Sequence, residues 1–461
     1  MGGKWPFFSL ENICEPNSTI TYGVVKPGPE DPDGVAFIRG GDISNGKILV
    51  DQLRTITREV SKQYKRTLLS GGEILVSLVG NPGQVAIVPD RLKGANIARQ
   101  VGLVRLKKGL SRRFVKYYLL SPLGQRALHG YSLGSVQQVI NLKDLKRVEI
   151  PLPPLYEQKS IAHILGTLDD KIELNRQMNA TLESMAQALF KSWFVDFDPV
   201  IDNALAAGNP IPDALRPKAE LRMLNAEKNN SSFSTQHSSF FPDRFVFSEE
   251  MGWIPEGWGE SSVGEQVETT GGGTPSTKEP IYWENGTHAF CTPKDMSLLS
   301  SMVLMDTERH LTDAGVNKIS SGQLPPGTVL MSSRAPIGYL AISDIPVSVN
   351  QGIIGMLPSD KYGSIFLLCW AHFNIGKIED RANGSTFLEI SKKNFRPIPF
   401  VVPGDGLLDA FNDQAQAIYD KLLLTAECTE SLTRLRDTLL PKLLSGELRI
   451  PDAEKILEQA L

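Results

Sequence analysis

The feature that most restricts this chain is that it repeats itself. Stepping 4, 3, 4, 3 from Ile161 gives Ile161, Leu165, Leu168, Ile172, Asn175, Asn179, Leu182, Ala186, Leu189 and Trp193, a heptad seam with two asparagines in its middle. Adding 250 to each position gives Phe411, Ala415, Ile418, Leu422, Thr425, Thr429, Leu432, Arg436, Leu439 and Leu443, a second seam with its own polar pair. Upstream, GSVQQVINLKDLKRVEIPLP (134–153) resembles GSTFLEISKKNFRPIPFVVP (384–403), GEILVSLVGNPGQVAI (72–87) matches GTVLMSSRAPIGYLAI (327–342), and VAFIRGGDIS (35–44) matches HAFCTPKDMS (288–297). The blocks follow one another in the same order twice. The expected chain is therefore globular unit 1–153, long helix 154–197, linker 198–250, globular unit 251–403, long helix 404–446 and a tail 447–461.

Each globular unit reads as α+β. Runs such as ILVSLV, QVAIV, QVGLVRL, TVLMSS, YLAIS and PVSV are strand-like and punctuated by Gly, Pro and Asn, while RRFVKYYLLSP and SIFLLCWAHF read as helix. Helices of about 40 residues, ~60 Å at ~1.5 Å per residue, do not stand alone on a narrow apolar seam. Antiparallel pairing of the two seams is the economical arrangement and gives an internal pseudo-two-fold repeat. It predicts that Asn175 and Asn179 meet Thr425 and Thr429 in one polar layer that fixes the coiled-coil register.

At 461 residues the chain exceeds what one core serves. The start MGGKWPFF lacks a signal stretch and no apolar run reaches the roughly 18 residues a membrane helix needs, so a cytoplasmic protein is expected. Cys14, Cys291, Cys369 and Cys428 are scattered, without the spacing of a zinc site or a disulfide framework. The net charge of −4 conceals a gradient. Residues 1–150 hold 22 Lys and Arg against 12 Asp and Glu, a net +10, whereas 251–400 hold 11 against 15, a net −4. A polyanion would find its counter-charge in the first unit.

Several short motifs suggest chemistry that their context denies. GYSLG (130–134) has the spacing of a nucleophile elbow, but Ser132 follows a helix rather than a buried strand. GDISNGKI (41–48) has phosphate-loop spacing with Ile48 in place of the magnesium-ligating hydroxyl, and reads as a turn. TGGGTP (270–275) does not lead a strand into a helix, so dinucleotide binding is not expected. No catalytic residue and no metal ligand is expected.

Two non-catalytic units on a pair of long helices, with the phrases IPLPPLYEQ, ALFKSWFVDFDPV, GWIPEGW, GGGTPSTKEPIYW, LPPGTVLMSSRAPIGYLAI and LRDTLLPKLLSGEL, resemble the specificity subunits of type I restriction-modification systems. The resemblance covers nearly the whole chain. It implies a DNA-recognition subunit whose two target-recognition domains each read half of a split sequence. The helices would serve as spacer and as platform for two methyltransferase subunits. It also implies that S-adenosylmethionine, ATP and magnesium reside on partner subunits, that restriction subunits can join, and that this chain is not an enzyme. A coiled-coil scaffold presenting two binding domains, and the specificity subunit of a methylation-only system, remain alternatives.

Loop residues at matching repeat positions are the candidate DNA contacts: Arg39, Lys47, Asn81, Gln84, Arg99 and Gln100 in the first unit, and Thr274, Lys294, Ser333, Arg334, Asn350 and Gln351 in the second. Arg can address guanine and Asn or Gln adenine in the major groove, while lysines suit phosphates. Met178, Met185, Cys428 and Leu435 lie beside the seams, where a coiled coil needs no second apolar stripe, and are candidates for partner binding.

Overall fold

A computed structural model describes residues 5–460 apart from 52, 131–138, 229–239 and 385–387. Ser132 of GYSLG lies outside the described residues. The chain divides into two compact units, Met1–Glu173 with Glu430–Leu461, and Leu174–Thr429. The long helices Leu155–Phe190 and Asp405–Ser445 each contribute to both.

In the first unit, Val101–Val104 is central to a four-stranded sheet whose order is Thr21–Tyr22, Val101–Val104, Ile74–Ser77, Val85–Ile87. A three-stranded sheet runs Arg54–Ile56, Val35–Ile38, Asn96–Ile97, its last pair parallel. Phe7–Ser9 closes on Glu149–Pro151. Both central strands are short, β-branched and buried on both faces, so their apolar runs need no alternation. Ile38, Ile43, Leu75, Ala86, Ile97, Val101 and Leu103 form one core between the sheets. GDISNGKI is a hairpin, Ile43–Ser44 against Lys47–Ile48, turned by Asn45 (φ 49°) and Gly46 (φ 76°). Positive φ at both turn residues is the Asn-Gly geometry that matches strand twist, so no phosphate loop exists there.

The second unit repeats this wiring. Its larger sheet runs Thr269–Gly271, Ile353–Met356, Val329–Ser333, Ile337–Ser343, with Val303–Leu304 added at the edge. Its three-stranded sheet runs Arg309–Leu311, His288–Cys291, Val347–Val349, again with the last pair parallel. Gly259–Ser262 closes on Pro399–Val402 as Phe7–Ser9 does on Glu149–Pro151. The helical stretches are Arg112–Leu120 and Ser364–Phe373. Duplication read from sequence blocks is thus duplication of sheet order and strand direction.

Within each unit the long helices pair antiparallel. In the first, Arg436 Nη1 donates to Asp169 Oδ1 at 2.9 Å. In the second, Phe190 and Phe411 rings lie 5.9 Å apart, and Asn179 Nδ2 reaches the Leu422 carbonyl at 3.4 Å. Most seam residues of both helices are buried. Phe190, Phe194, Phe366 and Phe411 stack edge-on or tilted at 5.1 to 5.9 Å, fusing the helix pair to helix Ser364–Phe373 of the same unit.

The polar layer differs from expectation. Thr425 and Thr429 donate to carbonyls four residues back, those of Lys421 and Thr425. Asn175 Nδ2 and Asn179 Oδ1, in residues only 4% and 3% exposed, find no hydrogen-bond partner among the described residues. A threonine hydroxyl reaches its own helix at less entropic cost than it reaches across a helix pair, so the mutual satisfaction expected of the layer is not formed by these atoms.

The first long helix gives way at Lys191–Val195 to a wider π turn, and Phe197 turns the chain with φ 58°. The linker carries two further helices, Asp198–Ala207 and Arg216–Lys228. Arg222 pairs with Asp198 at 3.2 Å and with Asp202, and Lys218 with Asp196 at 2.7 Å. Pro441 falls in the last turns of the second long helix, which Gly446 ends with φ 72°.

Candidate nucleic-acid interface

One backbone frame supports the candidate residues in each unit. In the first, Leu78 donates its amide to Gln100 O at 2.7 Å and accepts from Ile140 N at 3.0 Å. In the second, Ser333 donates to Gly352 O at 2.8 Å and accepts from Ile390 N at 3.0 Å. The parallel strands end alike: Ala98 N donates to Ile38 O at 2.8 Å, and Asn350 N to Cys291 O at 3.1 Å. The backbone amides of Arg39 and Thr292 are each accepted by a carboxylate three residues on, Asp42 at 2.7 Å and Asp295 at 2.9 Å. Gly23 and Gly272 occupy matching places where a Cβ would stand 1.8 Å from Ile97 O and 1.7 Å from Val349 O. Only glycine lets these strands approach so closely.

The frame brings some candidates together. Arg39 is exposed, and its guanidinium donates to Asp42 at 2.9 and 3.2 Å, the hydrogen bond holding its pKa above the usual value. Gly40, next in chain, packs on the Gln100 side chain, and Arg99 precedes Gln100 on the same exposed bend. Gln84 accepts the Asn45 amide at 3.1 Å and so braces the hairpin. Asn81 stands exposed on the loop between Ile74–Ser77 and Val85–Ile87. Lys47 departs from the expectation of a free phosphate contact: it pairs with Glu173 of the long helix at 2.6 Å.

In the second unit, Thr274 Oγ1 donates to Gln351 Oε1 at 2.7 Å, and Asn350 Oδ1 accepts the Gly352 amide at 2.9 Å. Arg334 sits beside Gly352 and faces Glu389 at 3.6 Å. Lys294 is exposed but paired with Glu308 at 2.6 Å. Ser333 departs from expectation: it is 2% exposed inside a strand, and a buried side chain offers nothing to a duplex. Glu389 and Asn383, bridged by amide–carbonyl bonds of 2.9 Å in both directions, belong to this cluster and escaped the sequence reading. The block GSTFLEIS carried the signal, because its counterpart GSVQQVIN includes Ile140, which bonds to the same frame.

On the helices, Met178 and Met185 are 37% and 53% exposed, and Leu174, not singled out by spacing, is 51% exposed. Cys428 and Leu435 are half-buried. Cys14, Cys291 and Cys369 are buried and unpaired. Burial pushes the Cys14 thiol up to about 11 and that of Cys369 to about 12, so neither is a thiolate at neutral pH. Among the described residues no His, Cys, Asp or Glu group is placed to hold a metal, and no helix is long and apolar enough to cross a membrane.

A duplicated β-rich frame carrying Arg, Asn, Gln and Glu on loops, joined to long antiparallel helices, is the architecture of a DNA-recognition subunit. The chain belongs to the family of the type I restriction modification DNA specificity domain, whose model matches residues 3–184 and 255–406. It is 26% identical over 442 residues to the HindI specificity subunit of the type I restriction enzyme of Haemophilus influenzae, covering 90% of this chain and 94% of that one. It is 34% identical over 197 residues to the EcoBI specificity subunit of Escherichia coli, 41% of each chain. Its fold is similar to the crystal structure of the type I restriction-modification S subunit from M. genitalium, with TM-score 0.50 and 18% identity, covering 95% of this chain and 96% of that one. Recognition of a DNA target within a type I restriction-modification system is the function of this chain.

Proposed function

We propose that each unit reads one half of a bipartite duplex target, residues 1–153 and 251–403 being the two target-recognition domains. The observation that carries this is the shared frame: the same hydrogen-bonded bend, built twice, presents Arg39, Arg99 and Gln100 in one unit and Arg334, Asn350 and Gln351 in the other. Equal frames with unequal side chains suit two half-sites of different sequence. Asn81, Thr274 and Gln351 are exposed and suit direct contact, whereas Gln84 and Lys294 act through the groups they brace.

The long helices are the spacer. At ~1.5 Å per residue the 36 residues of Leu155–Phe190 span about 54 Å and the 41 of Asp405–Ser445 about 62 Å, ample for half-sites roughly 34 Å apart. The exposed stripe of Leu174, Met178 and Met185 favours the same helices as a methyltransferase platform, Met side chains adapting to a partner surface. Cys428 and Leu435, half-buried, are the candidates on the second helix. Two methyltransferase subunits bring S-adenosylmethionine, and restriction subunits, where present, bring ATP and magnesium. This chain itself neither methylates nor cuts, and acts in the cytoplasm.

Mapping methylated bases across the host genome with and without this gene tests the reading. A bipartite motif that vanishes on deletion is expected. A methylation pattern indifferent to the deletion, or a continuous motif, overturns it.

A further inference from the structure

Two positions of the frame that hold unlike residues in the two copies come together in the second unit. Because Leu78 corresponds to Ser333 and Ile140 to Ile390, the neighbours Val79 and Val139 correspond to Arg334 and Glu389. Two valines in the first unit stand where the second has an ion pair. Arg334 Nη1 lies 3.6 Å from Glu389 Oε1, with side chains 35% and 49% exposed. An ion pair that open to solvent contributes little to stability, so folding alone gives no reason for it. The guanidinium faces Glu389 on one side and on the other lies over Gly352, where a Cβ would stand 3.2 Å from Arg334 Nε and 3.2 Å from Asn350 Oδ1. The Glu389 backbone is itself held by two hydrogen bonds to the Asn383 backbone.

We propose that Arg334 is a base-reading residue of the second unit, addressing a guanine in the major groove, and that Glu389 is the positioning residue that aims it. This rests on the bipartite reading above and names one contact within it. Arg presents two parallel N–H donors that match guanine O6 and N7, and a carboxylate behind it removes the freedom to swing toward phosphates. The matching Val79 and Val139 cannot make this contact, so the half-site read by the first unit takes its specificity from Arg39, Arg99 and Gln100 instead. The absence of a Cβ at Gly352, where the first unit has Gln100, leaves the guanidinium room.

The test uses the assembled methyltransferase complex with the full chain, methylating a random-sequence duplex library that is then sequenced. The native complex must first yield a two-part motif; if it does not, the bipartite reading has failed and not merely this contact. Arg334→Gln is expected to relax one G·C pair in a single half-site by on the order of tenfold to a hundredfold, leaving every other position unchanged. Glu389→Gln is expected to relax the same pair by less, and Glu389→Asp to restore most of it, a pattern that a merely structural ion pair would not give. Should Arg334→Gln yield no active complex, Arg334→Lys decides: it keeps the charge opposite Glu389 but loses the fork, and must relax that same pair. A native motif retained at every position by active Arg334 variants overturns the proposal. So does relaxation spread evenly over both half-sites.

Discussion

Replacing both Asn175 and Asn179 by leucine is expected to stabilise the second unit and leave target spacing unchanged. Asn175 Nδ2 and Asn179 Oδ1 are buried without partners among the described residues, each costing about 1–3 kcal/mol. The bond of Asn179 to the Leu422 carbonyl is long, 3.4 Å, and its loss costs under about 1 kcal/mol. Two buried leucines add about 1.5–3 kcal/mol each, offset by about 1–3 kcal/mol each for overpacking. At mid-range values these terms sum to a gain of about 4 kcal/mol, on the order of 10 °C for a unit of this size. Scanning calorimetry of the full chain, following the transition that moves, measures it; a lower transition temperature refutes the reasoning. The spacing limb follows from the same geometry. One weak bond penalises a heptad slip far less than dismantling the contacts of Phe190 and Phe194 with Phe411, or of Asp169 with Arg436. Methylation mapping that shows a mixture of spacer lengths would return the register role to the asparagines.

Phe190→Ala, removing a ring 2% exposed amid Phe194, Phe366, Phe373 and Phe411, is expected to cost about 3–5 kcal/mol, read as a fall in denaturation midpoint. Gly272→Ala and Gly23→Ala are each expected to destabilise their own unit by more than about 2 kcal/mol, since the new Cβ would meet a backbone carbonyl; an unchanged melting curve for either contradicts the frame. Glu183 accepts the Met302 amide at 2.7 Å, and burial raises its pKa. A raised folded pKa means that stability is fully present below the unfolded value near 4.3 and is lost as pH rises through the folded value. Glu183→Gln keeps the acceptor without the charge, so it should stabilise at pH 8 and lose that advantage below about pH 4. In gel shifts the isolated chain is expected to bind DNA weakly and to gain strongly when the methyltransferase is added; tight specific binding by the lone chain contradicts this.

The architecture was legible because duplication leaves a record in two independent periodicities. The seams announce helices by the 3.6-residue period, and the offset of 250 ties each strand run to a counterpart, so ILVSLV and TVLMSS emerge as matching central strands. What spacing could not supply is direction of a side chain. Ser333 and Arg334 are neighbours in one loop phrase, yet the pleat sends the first inward and the second to the surface. Lys47 looked like a free cation because Glu173, its partner, lies on the long helix and far off in sequence. Thr425 and Thr429 bond within their own helix rather than to the asparagines, since an i−4 carbonyl is nearer than a facing helix. The Arg334–Glu389 pair was not legible because its two residues lie in different blocks of the repeat, and matching blocks along the chain does not say which of them meet in space.

The two units also differ in charge, though not in how readily they pair it. Phosphate affinity scales with unpaired cations, and both units hold some of theirs internally: Arg39 on Asp42 and Lys47 on Glu173 in the first, Lys294 on Glu308 and Arg334 beside Glu389 in the second. A cation restrained by a carboxylate attracts phosphates poorly yet presents its donors in a fixed direction, which favours discrimination over affinity. The first unit, at +10 over residues 1–150, holds the surplus charge that draws the duplex in. On the bipartite reading proposed above, sequence-independent attraction is weighted toward one half of the duplication, and the net charge of −4 for the whole chain says nothing against DNA as its ligand.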